Sequence, residues 1–165
     1  MIEIKLTKGK IAIVDDEDYE LVSQYKWYPK KHRNTYYAMA NGKYIKGERQ
    51  NPIFMHQLVF PSTDGHIIDH INRNGLDNRQ ENLRFCTNKE NTRNRVGQIN
   101  ASSCYKGVDW KKSNKKWRAR IRVNDKEFHL GCFVKEEDAA QAYDEAAIKY
   151  FGEFAYLNFG ENYGA

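Results

Sequence analysis

The chain has 165 residues, with 27 Lys and Arg against 22 Asp and Glu, a formal net charge of +5 and a mean hydropathy of −0.87. That length holds one ordinary domain or two small ones. No stretch approaches the roughly 18–20 apolar residues of a membrane span, and 13% aromatic residues supply enough burial to exclude a wholly disordered chain.

The first ten residues alternate charged and apolar side chains without the apolar run of a signal peptide. Ile2, Ile4 and Leu6, the turn Lys8-Gly9-Lys10 and the apolar Ile11 to Val14 predict a β-hairpin. Asp15 to Asp18 make an acidic helix start leading into Tyr19, Leu21, Val22 and Tyr25. Tyr36 to Ala40 and Tyr44-Ile45, on either side of Asn41-Gly42, predict a second hairpin. Ile53 to Phe60 is a short apolar-rich element carrying His56.

The small, uncharged stretch 96–102 separates two differently patterned halves and reads as a linker between modules 1–95 and 103–160. Beyond it, Tyr105 to Trp110 is a predicted strand. Trp117, Ala119, Ile121 and Val123 then alternate with Arg118, Arg120 and Arg122, so a strand there separates the apolar residues from the arginines. Phe128 to Phe133 makes a third strand. Lys135 to Phe151 makes a helix with acidic residues at its start, Gly152 at its end and an alanine-rich face. Nine basic residues between Lys106 and Lys126 are opposed only by Asp109 and Asp125, which locates a polyanion-binding surface there. Cys86, Cys104 and Cys132, an odd number with no C-x-x-C pair, fit free thiols in a reducing compartment better than a disulfide framework or a cysteine zinc site. The chain is therefore expected to be cytoplasmic and not secreted.

The segment Ile67 to Arg95 carries the most chemistry. Two isoleucines run into Asp69-His70, Asn74-Gly75 turns the chain, Asn82 to Phe85 reads as a return strand, and Thr87 begins a helix at about Asn88 with Glu90 three residues on. Asp69, His70, Asn82 and Asn91 in that order, on strand, loop, strand and helix, resemble the β-β-α metal finger of HNH endonucleases in its His-Asn-Asn version, as in phage and intron homing endonucleases. The resemblance implies that His70 is the general base, that Asp69 and Asn91 bind one divalent metal, and that Asn82 fixes the loop of the finger. The residue types suit phosphodiester hydrolysis. A histidine near neutral pKa takes a proton from water, and a carboxylate with an amide oxygen makes a hard-oxygen site for magnesium, or manganese, rather than zinc. Asn72, Asn74, Asp77 and Asn78 read as loop formers, and His56 as a residue that supports the finger or packs in the core.

Residues 103–159 resemble the APETALA/ethylene-response-factor DNA-binding domain. The likeness rests on Tyr105-Lys106-Gly107-Val108, Trp117-Arg118-Ala119-Arg120-Ile121, His129-Leu130-Gly131-Cys132-Phe133, Ala139 to Asp144 and Leu157-Asn158-Phe159. It implies a three-stranded antiparallel sheet on one helix, with Arg118, Arg120 and Arg122, and further Lys111 and Trp110, facing DNA. Asp109 stands where plant members usually have Arg, and His129 where they usually have Trp, so base preference does not carry over.

The expectation is an α+β chain: a metal-finger nuclease module followed by a DNA-binding sheet and helix. It would cut double-stranded DNA with one magnesium or manganese ion per chain. The resemblance further implies a phage-borne or mobile-element enzyme that leaves 5′-phosphate and 3′-hydroxyl ends, with a monomer nicking one strand and no membrane or obligate protein partner. A non-catalytic DNA-binding regulator is the alternative.

Overall fold

The computed structural model describes residues 1–42, 44–45, 48–62, 66–94 and 102–160. The chain divides into two compact units, Met1–Thr87 and Asn88–Tyr163. The expected linker lies outside the described residues apart from Ser102, and the helix Asn88–Arg93, expected in the first module, groups with the second unit.

In the first unit β1 (Ile2–Lys5) and β2 (Ile11–Val14) form the expected antiparallel hairpin. Its alternation turns Ala12 and Val14 fully inward. A 3₁₀ turn at Asp16–Asp18 leads into the short helix α1 (Tyr19–Ser23). The second hairpin differs from the expectation. β3 (Trp27–His32) pairs with β4 (Thr35–Ala40) around Arg33 and Asn34, and Arg33 has the positive φ of 51° that such a tight turn requires. Asn41-Gly42 does not close a hairpin onto β4: β5 (Tyr44–Ile45) pairs instead with β6 (Glu48–Arg49), and the free side of β4 takes β7 (Ile53–Phe54). Pro29 and the lysines after it mask β3 in the sequence. The strand tolerates Pro29 because it lies at the sheet edge, where a missing N–H breaks no ladder. Helix α2 (Met55–Val59) follows directly and buries Met55, His56 and Val59.

β8 (Ile67–His70) and β9 (Leu83–Cys86) pair antiparallel, with Asp69 opposite Arg84 and His70 opposite Leu83. The loop between them is not a free excursion. The Ile13 N–H donates to the Leu76 carbonyl at 2.8 Å, and the Asn78 N–H donates to the Ile13 carbonyl at 2.7 Å, so the loop adds to the edge of β2 as a parallel bridge. At its other side the Gly75 N–H donates to Thr35 Oγ1 at 3.0 Å. The unit's core of Leu6, Ala12, Val14, Val22, Trp27, Ala38, Ala40, Met55, Val59 and Leu83 gathers one or more residues from most of these elements.

The second unit holds α3 (Asn88–Arg93), then β10 (Val108–Lys111), β11 (Lys116–Val123) and β12 (Lys126–Phe133) in one antiparallel sheet, and α4 (Glu136–Phe151). α4 packs Ala139, Ala140, Tyr143, Ala146, Ala147 and Phe151 onto Val108, Ala119 and Ile121. Gly107 has φ +77°, and a Cβ there would lie 2.0 Å from the Tyr143 ring, so only glycine passes under the helix. Asp144 anchors the C-terminal segment: its carboxylate accepts the Asn158 N–H at 2.8 Å and the Phe159 N–H at 2.9 Å. The Asn158 side chain in turn accepts the Lys106 N–H at 2.8 Å.

A Cβ on Gly75 would stand 2.6 Å from the Tyr36 carbonyl oxygen and from the Tyr37 ring. Gly75→Ala is therefore expected to lower the urea midpoint of the first unit by an amount worth about 1–3 kcal/mol, the usual cost of overpacking. An unchanged midpoint would show that the loop lifts off β4 freely.

Candidate active site and nucleic-acid interface

His70 ends β8, buried at 4% exposure. Its Nε2 lies 3.4 Å from Oδ1 of Asn78. The orientation of that amide is set from behind, because Asn78 Nδ2 donates to the Leu76 carbonyl at 3.1 Å and lies 3.4 Å from Met55 Sδ. Oδ1 is then the atom facing His70, and an amide oxygen only accepts. The proton of the neutral imidazole accordingly sits on Nε2, and Nδ1 carries the lone pair. Burial holds the His70 pKa below the usual histidine value, against the opposing pull of Asn78, Asp69 and Asp77. The ring is thus neutral at pH 7, the form a base requires.

Asn82, 3% exposed, occupies the end of a 3₁₀ turn before β9. Its Oδ1 accepts the Asn72 N–H at 2.9 Å and its Nδ2 donates to the Asp77 carbonyl at 2.7 Å. One amide thus ties both halves of the loop together. Asp77 grips the loop as well, accepting from Arg79 Nε and Nη2 at 2.8 Å each and from Asn72 Nδ2 at 2.9 Å. Burial raises the Asp77 pKa, but the Arg79 hydrogen bonds and charge outweigh it and hold the carboxyl below its usual range.

Asp69 is 8% exposed, and its Oδ2 accepts from Arg84 Nη2 at 2.9 Å and Nε at 3.2 Å. Arg84 is the cross-strand partner of Asp69, so strand pairing itself brings the cation to the carboxylate. Asn91 lies on α3, half-buried, in the second unit. Among the described residues no group of three His, Cys, Asp or Glu side chains is placed to hold a metal. A carboxylate oxygen such as Asp69 offers, and an amide oxygen such as Asn91 offers, are each hard donors of the kind Mg²⁺ or Mn²⁺ takes.

His56 sits closer to His70 than its place in the sequence suggests. Its ring stands edge-on to His70 with centroids 5.1 Å apart, stacks on Phe54 at 5.5 Å and meets Tyr37 at 5.5 Å. Tyr37 also lies 5.5 Å from the His70 ring. Burial and then the nearby His70 push the His56 pKa down to about 3, and its buried Nδ1 has no hydrogen-bond partner among the described residues. His56, Tyr37 and Phe54 therefore make an aromatic wall beside His70. Sequence reasoning missed Asn78 and Arg84. An asparagine in an asparagine-rich loop looks like turn chemistry, and Arg84 is recognisable only once the β8–β9 register is known.

In the second unit the face separation of β11 holds: Ala119 and Ile121 are buried beneath α4, while Arg118, Arg120 and Arg122 lie on the other face. Lys111 pairs with Lys116 and shares the arginine face. Trp110, expected among the DNA-facing residues, lies on the opposite face from the arginines. It pairs with Trp117, its ring centroid 5.0 Å away, and directly paired residues project to one side of a sheet. The arginines are also not bare. Asp109 accepts from Arg118 Nη2 at 2.9 Å and makes an ion pair with Arg120 Nε at 3.0 Å, and Arg120 Nη1 reaches Glu127 at 2.8 Å.

Because His56 titrates near 3 when folded and near 6.5 when unfolded, its stabilising share is complete above pH 6.5. That share is lost as the pH falls from there towards 3, at about 1.4 kcal/mol per pH unit for one proton. Urea titrations of the wild type and His56→Leu between pH 6 and 4 should differ in slope by about that amount. Parallel curves would place His56 in solvent.

A family model of the HNH endonuclease matches residues 55–93, and a model of the AP2 domain matches residues 103–153. An HNH endonuclease of Acanthamoeba polyphaga mimivirus is 34% identical over 156 residues, covering 92% of this chain and 76% of the relative. An AP2-like ethylene-responsive transcription factor of Arabidopsis thaliana is 46% identical over 68 residues, which is 40% of this chain and 14% of the plant protein. A dehydration-responsive element-binding protein of the same plant is 37% identical over 90 residues, 53% of this chain and 43% of that relative. The plant proteins thus share one region with this chain, whereas the viral relative runs alongside nearly all of it. The catalytic-type loop around His70 and the arginine-faced sheet therefore occur together in a chain that belongs to the HNH endonuclease family, an enzyme that also carries an AP2 domain.

Proposed function

We propose that this enzyme is a divalent-metal-dependent DNA endonuclease of the homing type, carried by a phage or another mobile element. In this reading residues 1–95 cut, residues 103–160 position the cut on double-stranded DNA, and 96–102 link them. The observation that carries the reading is the His70–Asn78 pair: a buried imidazole whose Nε2 faces Oδ1 of Asn78 at 3.4 Å, which puts its proton on Nε2 and leaves the lone pair on Nδ1. Such a group takes a proton from water as that water attacks phosphorus. Asn78 keeps the ring in the productive tautomer, Asn82 and Asp77 keep the loop in shape, and the aromatic wall of Tyr37, Phe54 and His56 excludes bulk water from one side of the ring. Asp69 and Asn91 would hold the metal, Mg²⁺ or Mn²⁺, whose chemistry there is to neutralise charge developing on the leaving oxygen. Arg84 orients the Asp69 carboxylate through Oδ2. One base and one metal site per chain make a nick the product of a monomer, with 5′-phosphate and 3′-hydroxyl ends. Three cysteines with no C-x-x-C pair suit a reducing cytoplasmic compartment where DNA is accessible.

With supercoiled plasmid and Mg²⁺, the wild type should convert circles to the nicked form. His70→Ala should do so about 10²–10⁴-fold more slowly, the usual worth of a general base, corresponding to roughly 3–5 kcal/mol of barrier. A variant cutting at the wild-type rate would remove His70 from the mechanism.

EDTA should abolish nicking, and Mg²⁺ or Mn²⁺ should restore it, while retention on DNA persists in the chelator because the sheet supplies binding. Undiminished nicking by the double variant Asp69→Ala, Asn91→Ala would overturn the ligand assignment.

A further inference from the structure

The arginine face of the C-terminal sheet carries a carboxylate at its centre. Asp109 is the cross-strand partner of Arg118. Its Oδ1 accepts from Arg118 Nε at 3.2 Å and Nη2 at 3.1 Å and is 3.0 Å from Arg120 Nε, and its Oδ2 accepts from Arg118 Nη2 at 2.9 Å. Glu127 takes Arg120 Nη1 from the other side at 2.8 Å. Two cations and two anions cancel there, so the middle of the face is electrically neutral. Arg122, with no ion pair among the described residues, joins Lys111 and Lys116 as an uncancelled charge towards the ends of the strands.

Long guanidinium side chains ordinarily sample many rotamers and settle on whichever phosphate is near. Here Arg118 is bound through its Nε and Nη2 edge, and Arg120 through Nε and Nη1. Each guanidinium plane is therefore fixed, and each retains N–H donors on the remaining terminal nitrogen, Nη1 of Arg118 and Nη2 of Arg120. Fixed donors discriminate between base edges, because a wrong base leaves them unpaired. Oδ2 of Asp109 keeps acceptor capacity for a base amino group, a contact that arginines alone do not offer.

We propose that Asp109 is the specificity-determining residue of this surface. It converts Arg118 and Arg120 from phosphate-seeking cations into held base readers, and leaves Arg122, Lys111 and Lys116 to supply non-specific attraction. This inference rests on the reading of the sheet as a DNA-binding surface.

The test selects bound duplexes from a randomised double-stranded DNA pool with the full chain in EDTA, so that nothing is cut, and then measures affinity for the selected duplex and for a scrambled one across salt concentrations. Asp109→Asn should bind scrambled DNA more tightly, with a salt slope steeper by about 1–2 as two arginines reach phosphates. Its ratio of selected to scrambled affinity should fall about tenfold or more, and one or more consensus positions should be lost. Asp125→Asn adds the same charge at the β11–β12 turn, where Asp125 has φ 64°, a conformation asparagine accepts; it should keep the consensus. Arg118→Lys keeps the charge but not the fork, and should lose consensus positions with little change in salt slope. Equal effects of Asp109→Asn and Asp125→Asn, or an unchanged consensus in either Asp109→Asn or Arg118→Lys, overturn the proposal. A wild type that is not retained on the pool overturns the DNA-binding reading itself, and a wild type that is retained without a consensus overturns specificity alone.

Discussion

Two backbone hydrogen bonds at Ile13 hold the His70 end of the first unit together. They clip the loop between β8 and β9 onto the edge of β2, and the rest of the site depends on that clip. Asn78, which makes one of the bonds through its N–H, is thereby placed with its side chain under His70. Leu76, which accepts the other, offers the same carbonyl to the Asn78 amide and so orients it. A loop free in solvent would present an asparagine that flips between donor and acceptor, and the histidine above it would have no preferred tautomer. Because strand and loop share one edge, the partner that His70 meets is set by main-chain geometry some 57 residues away in sequence.

The same cross-strand pairing of carboxylate and guanidinium occurs in both units. In the first unit Asp69 has Arg84 across the ladder. In the second, Asp109 has Arg118 across the ladder and Arg120 diagonally. Opposite charges on directly paired strand positions attract at short range, and each pair holds its side chains in one geometry. The burial differs. Asp69 and Arg84 have side chains only 10% exposed each, whereas Arg118 and Arg120 remain 29% and 41% exposed. Removing one partner of the first pair strands a nearly buried charge, while removing one partner of the second chiefly releases a side chain to water.

Much of the fold is legible before any coordinates. The β1–β2 hairpin, the β8–turn–β9 unit, the three C-terminal strands and α4 all follow from periodicity and turn chemistry, because each buries one face against a neighbour close in sequence. The expectation fails at β3 and β4. There Pro29 and two lysines argue against a strand, but an edge position removes the penalty and β4 pairs backwards to β3 rather than forwards to residue 44. The face of Trp110 was not legible for a related reason: one position of strand register decides it, and aromatic content alone says nothing about register.

Residue order alone establishes that Asp69, His70, Asn82 and Asn91 follow one another along one strand–loop–strand–helix segment, and that three arginines share a strand face. Local spacing suffices for both, since period-two alternation and short connections leave few arrangements. Three-dimensional packing was needed to show that Asn78 meets His70, that His56 and Tyr37 stand beside it, and that Asp109 pairs with two of the three arginines. Those contacts join segments distant in the chain or depend on which residues face each other across a ladder. They arise from packing and register, which a succession of residue types does not encode.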